Sequence, residues 1–250
     1  MTYCLAIKVN DGLVFASDSR TSAGVDYVST FSKMHTFAEP GERLYVLLSA
    51  GNLATSQAVL NAIQRDIDED KPENLKTFKY LFDAAHYIGH LSQKVQREHR
   101  EAAERGKINT EASFILGGQI GERAPKIYLI YPQGNYITAS EETPYLQIGE
   151  TKYGKPILDR VIRPDTRLED AARCALVSLD STMRSNISVG PPLELAIYRR
   201  SRYALDQRIS LKYGTPLYTA LQKRWNEGIR RAFERLPRFE WESNEPPGEG

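Results

Sequence analysis

The chain has 250 residues, of which 41% are hydrophobic and 26% charged, a composition able to bury a sizeable core in one large domain. Lys and Arg number 33 against 32 Asp and Glu, a formal charge of +1, so no global field draws the chain to nucleic acid or to anionic lipid, and neither partner is expected. Two cysteines, Cys4 and Cys174, are too few for a disulfide framework or a structural zinc site and point to a reducing, cytoplasmic compartment. No run reaches the roughly 18 apolar residues of a membrane span, and the first residues lack a secretory pattern.

Residues 3–9 and 13–17 are β-rich and separated by Asn10-Asp11-Gly12, a hairpin signal. A further strand pair is expected at 31–37 and 44–48, around Pro40-Gly41. After Ser49-Ala50-Gly51 the period changes. Leu53, Val59, Leu60, Ile63 and Ile67 recur at helical spacing as far as Lys71-Pro72, and a second helix is expected over about 75–105, charged in its last third. Strands return at 112–119, 126–131 and 135–139. Helices are expected over 152–162 and 168–186, the latter opened by a Thr166…Glu169 capping box, with closing strands at 193–198 and 208–213. This order suggests two sheets between helical layers rather than a parallel βαβ sheet. An amphipathic helix over about 216–236 follows, then a polar tail read as disordered from 242.

The candidate chemistry begins at Thr2. Removal of the initiator Met before a small residue would leave a hydroxyl nucleophile and an α-amine, of ordinary pKa roughly 7.7–8.0, on one residue. Ser17-Asp18-Ser19-Arg20 closes the second strand, and Ser32-Lys33-Met34 follows. A lysine near the threonine hydroxyl would favour its alkoxide, with an acid fixing that lysine as a cation. Ser49-Ala50-Gly51 ends a strand and opens a helix, where a backbone N–H could serve as an oxyanion hole.

On these residues the chain resembles the proteasome β-subunit family of N-terminal nucleophile hydrolases, and within it the bacterial Anbu (ancestral β-subunit) group. The resemblance covers about 2–213 and rests on Thr2, on Ala16-Ser17-Asp18-Ser19-Arg20, on Lys33 and on Leu47-Leu48-Ser49-Ala50-Gly51-Asn52-Leu53-Ala54. It implies an α+β, four-layer αββα sandwich over 2–213, a helical extension at 214–241 and a tail at 242–250. Carried across, Thr2 is the nucleophile, Asp18 the acid that orients the lysine, Lys33 the cation, Gly51 the oxyanion glycine and Ser188 the serine of the later Asp-x-x-Ser-Gly pattern. Ser49 and Leu53 line the pocket for the substrate side chain, and Arg20 stands beside the acid as a structural residue. Two positions depart from the family: Glu150 stands where a serine helps to hold the amino terminus, with Thr151 as the alternative hydroxyl, and Ser185 stands where the acid of the later pattern would be, with Asp180 as the alternative acid in another helix register.

The implied activity is a threonine-type peptidase acting on peptide or protein substrates inside a ring or ring-like homo-oligomer, without cofactor or metal and with any unfoldase partner unidentified. A non-catalytic scaffold of the same fold and an amidase for small molecules are the alternatives. His86 and His90, four apart on the second helix, have the spacing of metal ligands but no obvious third ligand and are assigned to packing or an interface. Cys4 is assigned to the core. The basic clusters at Arg199-Arg200-Ser201-Arg202 and Arg230-Arg231 are assigned to solvated faces or subunit contacts. The apolar stripe of Leu217, Leu221, Trp225, Ile229 and Phe233 either packs on its own domain or covers a neighbouring subunit, and the second is preferred because the sandwich closes by about Tyr213.

Overall fold

The computed structural model describes residues 2–22, 28–99, 105–106 and 108–244. The chain separates into two compact units, Met1–Lys212 and Tyr213–Gly250.

In the larger unit, β1 (Tyr3–Val9) and β2 (Gly12–Asp18) form the expected hairpin, with Val9 opposite Gly12 across an Asn10-Asp11 turn. The first sheet is antiparallel and ordered β10-β1-β2-β11-β12, where β10 is Tyr145–Gly149, β11 Leu193–Arg199 and β12 Gln207–Leu211. The second, ordered β5-β6-β7-β8-β9, contains β5 (Met34–Glu39), β6 (Arg43–Gly51), β7 (Ala112–Ile120), β8 (Lys126–Ile130) and β9 (Tyr136–Thr138). A small hairpin of β3 (Arg20–Ser22) and β4 (Val28–Thr30) lies between β2 and β5 in the chain.

The sheets pack face to face. Cys4, Ala6, Leu13 and Phe15 of the first meet Val46, Leu48, Ile115 and Ile127 of the second in one buried cluster. A Cβ built on Gly117 would lie 2.5 Å from the Phe15 ring, so glycine makes the room this ring occupies. On the outer face of the second sheet, Tyr45, Leu47, Phe114 and Leu116 pack against α1 (Leu53–Asp68) and α2 (Leu81–Glu98) through Val59, Ile63, Ala84, Ala85 and Ile88. On the outer face of the first sheet lies α4 (Leu168–Ser185), with α3 (Lys155–Val161) beside it. The helical layers explain why β1 and β2 read as nearly unbroken apolar runs: both their faces are covered. The architecture is the αββα sandwich.

Several elements depart from the expectation. The second helix begins at Leu81 rather than near 75. The Arg43 guanidinium occupies the carbonyls of Leu75 (3.1 Å) and Phe78 (3.0 Å), which helical hydrogen bonding would require, and the Asn74 side chain bonds Lys71 O and Lys76 N. Its expected last residues, 100–104, lie outside the described residues. The capping box is not formed. Thr166 Oγ1 accepts from Arg163 N, Arg167 is the N-cap without a side-chain bond, and Glu169 pairs with Arg199. Strands β3, β4 and β10 were not expected, although Tyr145-Leu146-Gln147-Ile148 between Pro144 and Gly149 carries a short strand signal.

The smaller unit contains α5 (Pro216–Glu234) and a 3₁₀ turn, Glu240–Asn244. Leu217, Ile229, Phe233, Leu236, Phe239 and Trp241 are exposed, and the rings of Phe239 and Trp241 are stacked. Residues 245–250, the rest of the expected tail, lie outside the described residues. Among the described residues no helix is long and apolar enough to cross a membrane.

Candidate active site

The end of β2 and the residue before β5 bring a charged pair together in the protein interior. Asp18, the last residue of β2, is fully buried, and Lys33, just before β5, is 5% exposed. Lys33 Nζ donates to Asp18 Oδ1 at 2.7 Å and to Arg20 O at 2.7 Å. Asp18 Oδ1 also accepts from Tyr3 N at 3.0 Å, and Oδ2 from Gly190 N at 3.2 Å. Burial pushes the Asp18 carboxyl above its usual range, opposed by the Lys33 charge and the two amide donors. Such a pair is costly to desolvate and is held by its full set of hydrogen bonds.

Thr2 is partly buried and stands one residue from this network through Tyr3. Its carbonyl accepts from Glu150 N at 2.7 Å, which extends the β1–β10 pairing of Tyr3 with Gly149 by one residue and sets Glu150 opposite Thr2. Gly149 is required there: its φ is +84°, and a Cβ would lie 1.9 Å from Thr2 O. The Glu150 carboxylate accepts from Asn186 Nδ2 at 3.0 Å, and Asn186 Oδ1 accepts from Ser188 N. The next side chain, Tyr3, is anchored by Ser178 Oγ (2.6 Å) on α4 and by Gln147 on β10.

Ser49, buried on β6, donates its N–H to Lys33 O at 3.0 Å. Two residues on, Gly51 ends the strand with φ +105°, and a Cβ there would lie 2.4 Å from Glu111 O. Asn52 then caps α1 through Thr55 N, and Leu53 opens the helix, partly buried. Lys33 therefore bonds Asp18 through its side chain and Ser49 through its backbone carbonyl, and Thr2 is joined to Asp18 through Tyr3. Gly51 and Leu53 follow Ser49 along the chain. Ser188 lies in the loop after α4, two residues before the Gly190 that bonds Asp18. Arg20 Nη1 donates to Ile187 O at 2.7 Å, tying that loop to the end of β2. Asp180 is buried on α4 and pairs with Arg184. Sequence reasoning missed the contributions of Tyr3 N and Gly190 N, because backbone donors leave no mark on residue type.

The chain matches the proteasome subunit family over residues 2–198, from the candidate nucleophile to the end of β11. It belongs to the proteasome subunit family, within the Anbu group. Anbu (ancestral β-subunit) from Yersinia bercovieri superposes with a TM-score of 0.89 at 43% identity, covering 96% of this chain and 99% of that one. The structure described as the helical assembly of the Anbu complex from Pseudomonas aeruginosa gives 0.89 at 47% identity, covering 95% and 98%. A proteasome subunit beta type-6-B like protein of Salmo salar is 26% identical over 196 residues, 76% of this chain and 80% of that protein.

The other candidates lie apart from the nucleophile, or in its supporting core. Cys4 is fully buried, burial pushes its thiol far up, and its Sγ donates to Ser49 O at 3.6 Å. His86 and His90 are exposed on α2, not packed in the core, with their rings tilted against each other and centroids 4.1 Å apart; no group of three potential ligands that could hold a metal occurs among the described residues. Arg199 bridges Glu169 and Asp206.

Proposed function

We propose that the protein is an N-terminal threonine hydrolase that cleaves amide bonds in peptide or protein substrates. The observation that carries this reading is the buried Asp18–Lys33 ion pair bonded to the amide of Tyr3, one residue from Thr2. Removal of Met1 frees the Thr2 α-amine. The hydroxyl attacks the scissile carbonyl, the amine takes its proton and returns it to the leaving amine, and Lys33 stabilises the alkoxide. The Gly51 N–H holds the oxyanion, and a water activated by the same amine then hydrolyses the acyl-enzyme. Ser49 and Leu53 border the substrate side chain, and Ser188 supports the amino terminus. Glu150, opposite Thr2, offers a carboxylate to the α-ammonium in place of the family serine.

We further propose a homo-oligomer in which residues 214–241 cover a neighbouring subunit. Its support is the set of exposed apolar side chains on the smaller unit and the helical assembly described for the Pseudomonas aeruginosa protein. The test is an electrophile that needs both the hydroxyl and the free α-amine of an N-terminal threonine, followed by peptide mapping. An adduct on Thr2 supports the enzyme. Assembled, Met1-free protein that never reacts is a scaffold.

A further inference from the structure

Lys33 closes the irregular stretch 31–33, and ties on both sides of it lead to one ion pair on the opposite sheet. On one side, Ser32 Oγ donates to Glu194 Oε2 at 2.5 Å and accepts from Met34 N at 3.3 Å. On the other side, Met34 O accepts from Arg208 Nη2 at 3.1 Å. The same Arg208 nitrogen donates to Glu194 Oε1 at 3.2 Å and closes the circuit. Between these ties the Lys33 carbonyl is held by Ser49 N at 3.0 Å. Glu194 lies on β11 and Arg208 on β12, neighbouring strands of the first sheet, whereas Lys33 leads into β5, an edge strand of the second.

We propose that Glu194 and Arg208 form a clamp that positions Lys33 for its action on Thr2. A lysine has a flexible four-carbon stem. Its Nζ stays on Asp18 Oδ1 and Arg20 O only while its Cα is fixed, and strand pairing does not begin until Met34. The clamp supplies that fixity from the other sheet. The Glu194 side chain is 13% exposed and that of Arg208 42%, so the pair adds little stability of its own and its effect lies in placing the chain beside Lys33. Both members are positioning residues: Glu194 acts through the Ser32 hydroxyl and Arg208 through the Met34 carbonyl, on either side of Lys33. Neither was singled out from sequence, since Glu194 and Arg208 sit within ordinary strand patterns.

This inference rests on the threonine-hydrolase reading, and the experiment separates the two. The labelling rate constant at saturation and the apparent affinity of the same electrophile are measured for wild type, Ser32→Ala, Glu194→Gln, Arg208→Ala and Arg208→Lys, with melting temperatures. A misplacement of about 1 Å can cost up to about a hundredfold in rate, so Glu194→Gln and Arg208→Ala should label roughly 10- to 100-fold more slowly at saturation with unchanged affinity. Ser32 is exposed, so Ser32→Ala should fold normally and show the same split. A single arginine nitrogen makes both contacts, so Arg208→Lys should recover most of the rate. The clamp is overturned if Ser32→Ala and Glu194→Gln label at the wild-type rate. It is equally overturned if affinity alone changes, or if rate and melting temperature fall together without rescue by Arg208→Lys. Wild-type protein that fails to label overturns the hydrolase reading, and this inference with it.

Discussion

Replacing Lys33 with Ala separates chemistry from stability. In the fold the Asp18 carboxylate is fully buried and the Lys33 ammonium is 2.7 Å away, with Tyr3 N and Gly190 N as further donors. Removing the cation leaves a buried charge, a change that costs about 3–5 kcal/mol. Asp18 already lies above the usual carboxyl range through burial, and without Lys33 it rises further. A carboxyl raised in the folded state takes up protons on folding, so stability is greatest below the unfolded value of about 3.9 and falls as pH rises through the folded value. Lys33→Ala should therefore melt well below wild type at pH 7, and the gap should narrow towards pH 4. The double change Lys33→Met with Asp18→Asn removes both charges and should restore most of the stability, because replacing a buried pair is often close to neutral. Labelling of Thr2 should fall about 10²–10³-fold, roughly 3–4 kcal/mol, in both variants. Thermal melts across pH and labelling rates read the two effects independently. A double variant that regains stability and labels at the wild-type rate would refute the catalytic role of Lys33 and leave only a structural ion pair.

Gly117→Ala should destabilise the protein by about 1–3 kcal/mol in denaturant titration, since the new methyl would meet the Phe15 ring at 2.5 Å between the sheets. Deleting residues 213–250 should shift the oligomer towards smaller species in light scattering while the sandwich keeps its circular dichroism. The Asp66 carboxyl is pushed up by burial but more strongly pulled down by Lys71 (2.6 Å) and Tyr87 (2.8 Å), so its net position is below the ordinary range. Its contribution is present above about pH 4 and lost as pH falls through the folded value. Asp66→Asn should accordingly cost stability at pH 7 and progressively less below pH 4 in thermal melts.

How much was legible follows from what each feature needs. The β1–β2 hairpin and the strands around Gly117 announce themselves by local apolar runs and turn residues. The Asp18–Lys33 pairing was legible as an acid closing one strand and a lysine leading into another, and the structure joins the two directly. What sequence left out depends on distant contacts. The 75–80 segment carries helical spacing, but Arg43 takes the Leu75 and Phe78 carbonyls. Strand β10 is short and becomes a strand by pairing with β1. The Gly190 amide that completes Asp18 is 172 residues away in the chain. Glu194 and Arg208 are ordinary strand residues until the fold places them on either side of Lys33.

The most direct test of the central claim combines intact mass with site mapping on the assembled protein after treatment with a threonine-directed electrophile. The account predicts a chain lacking Met1 that carries one adduct, on Thr2, and loses it in Lys33→Ala. A Met1-free, assembled chain with no adduct, or with its adduct on another residue, would contradict it.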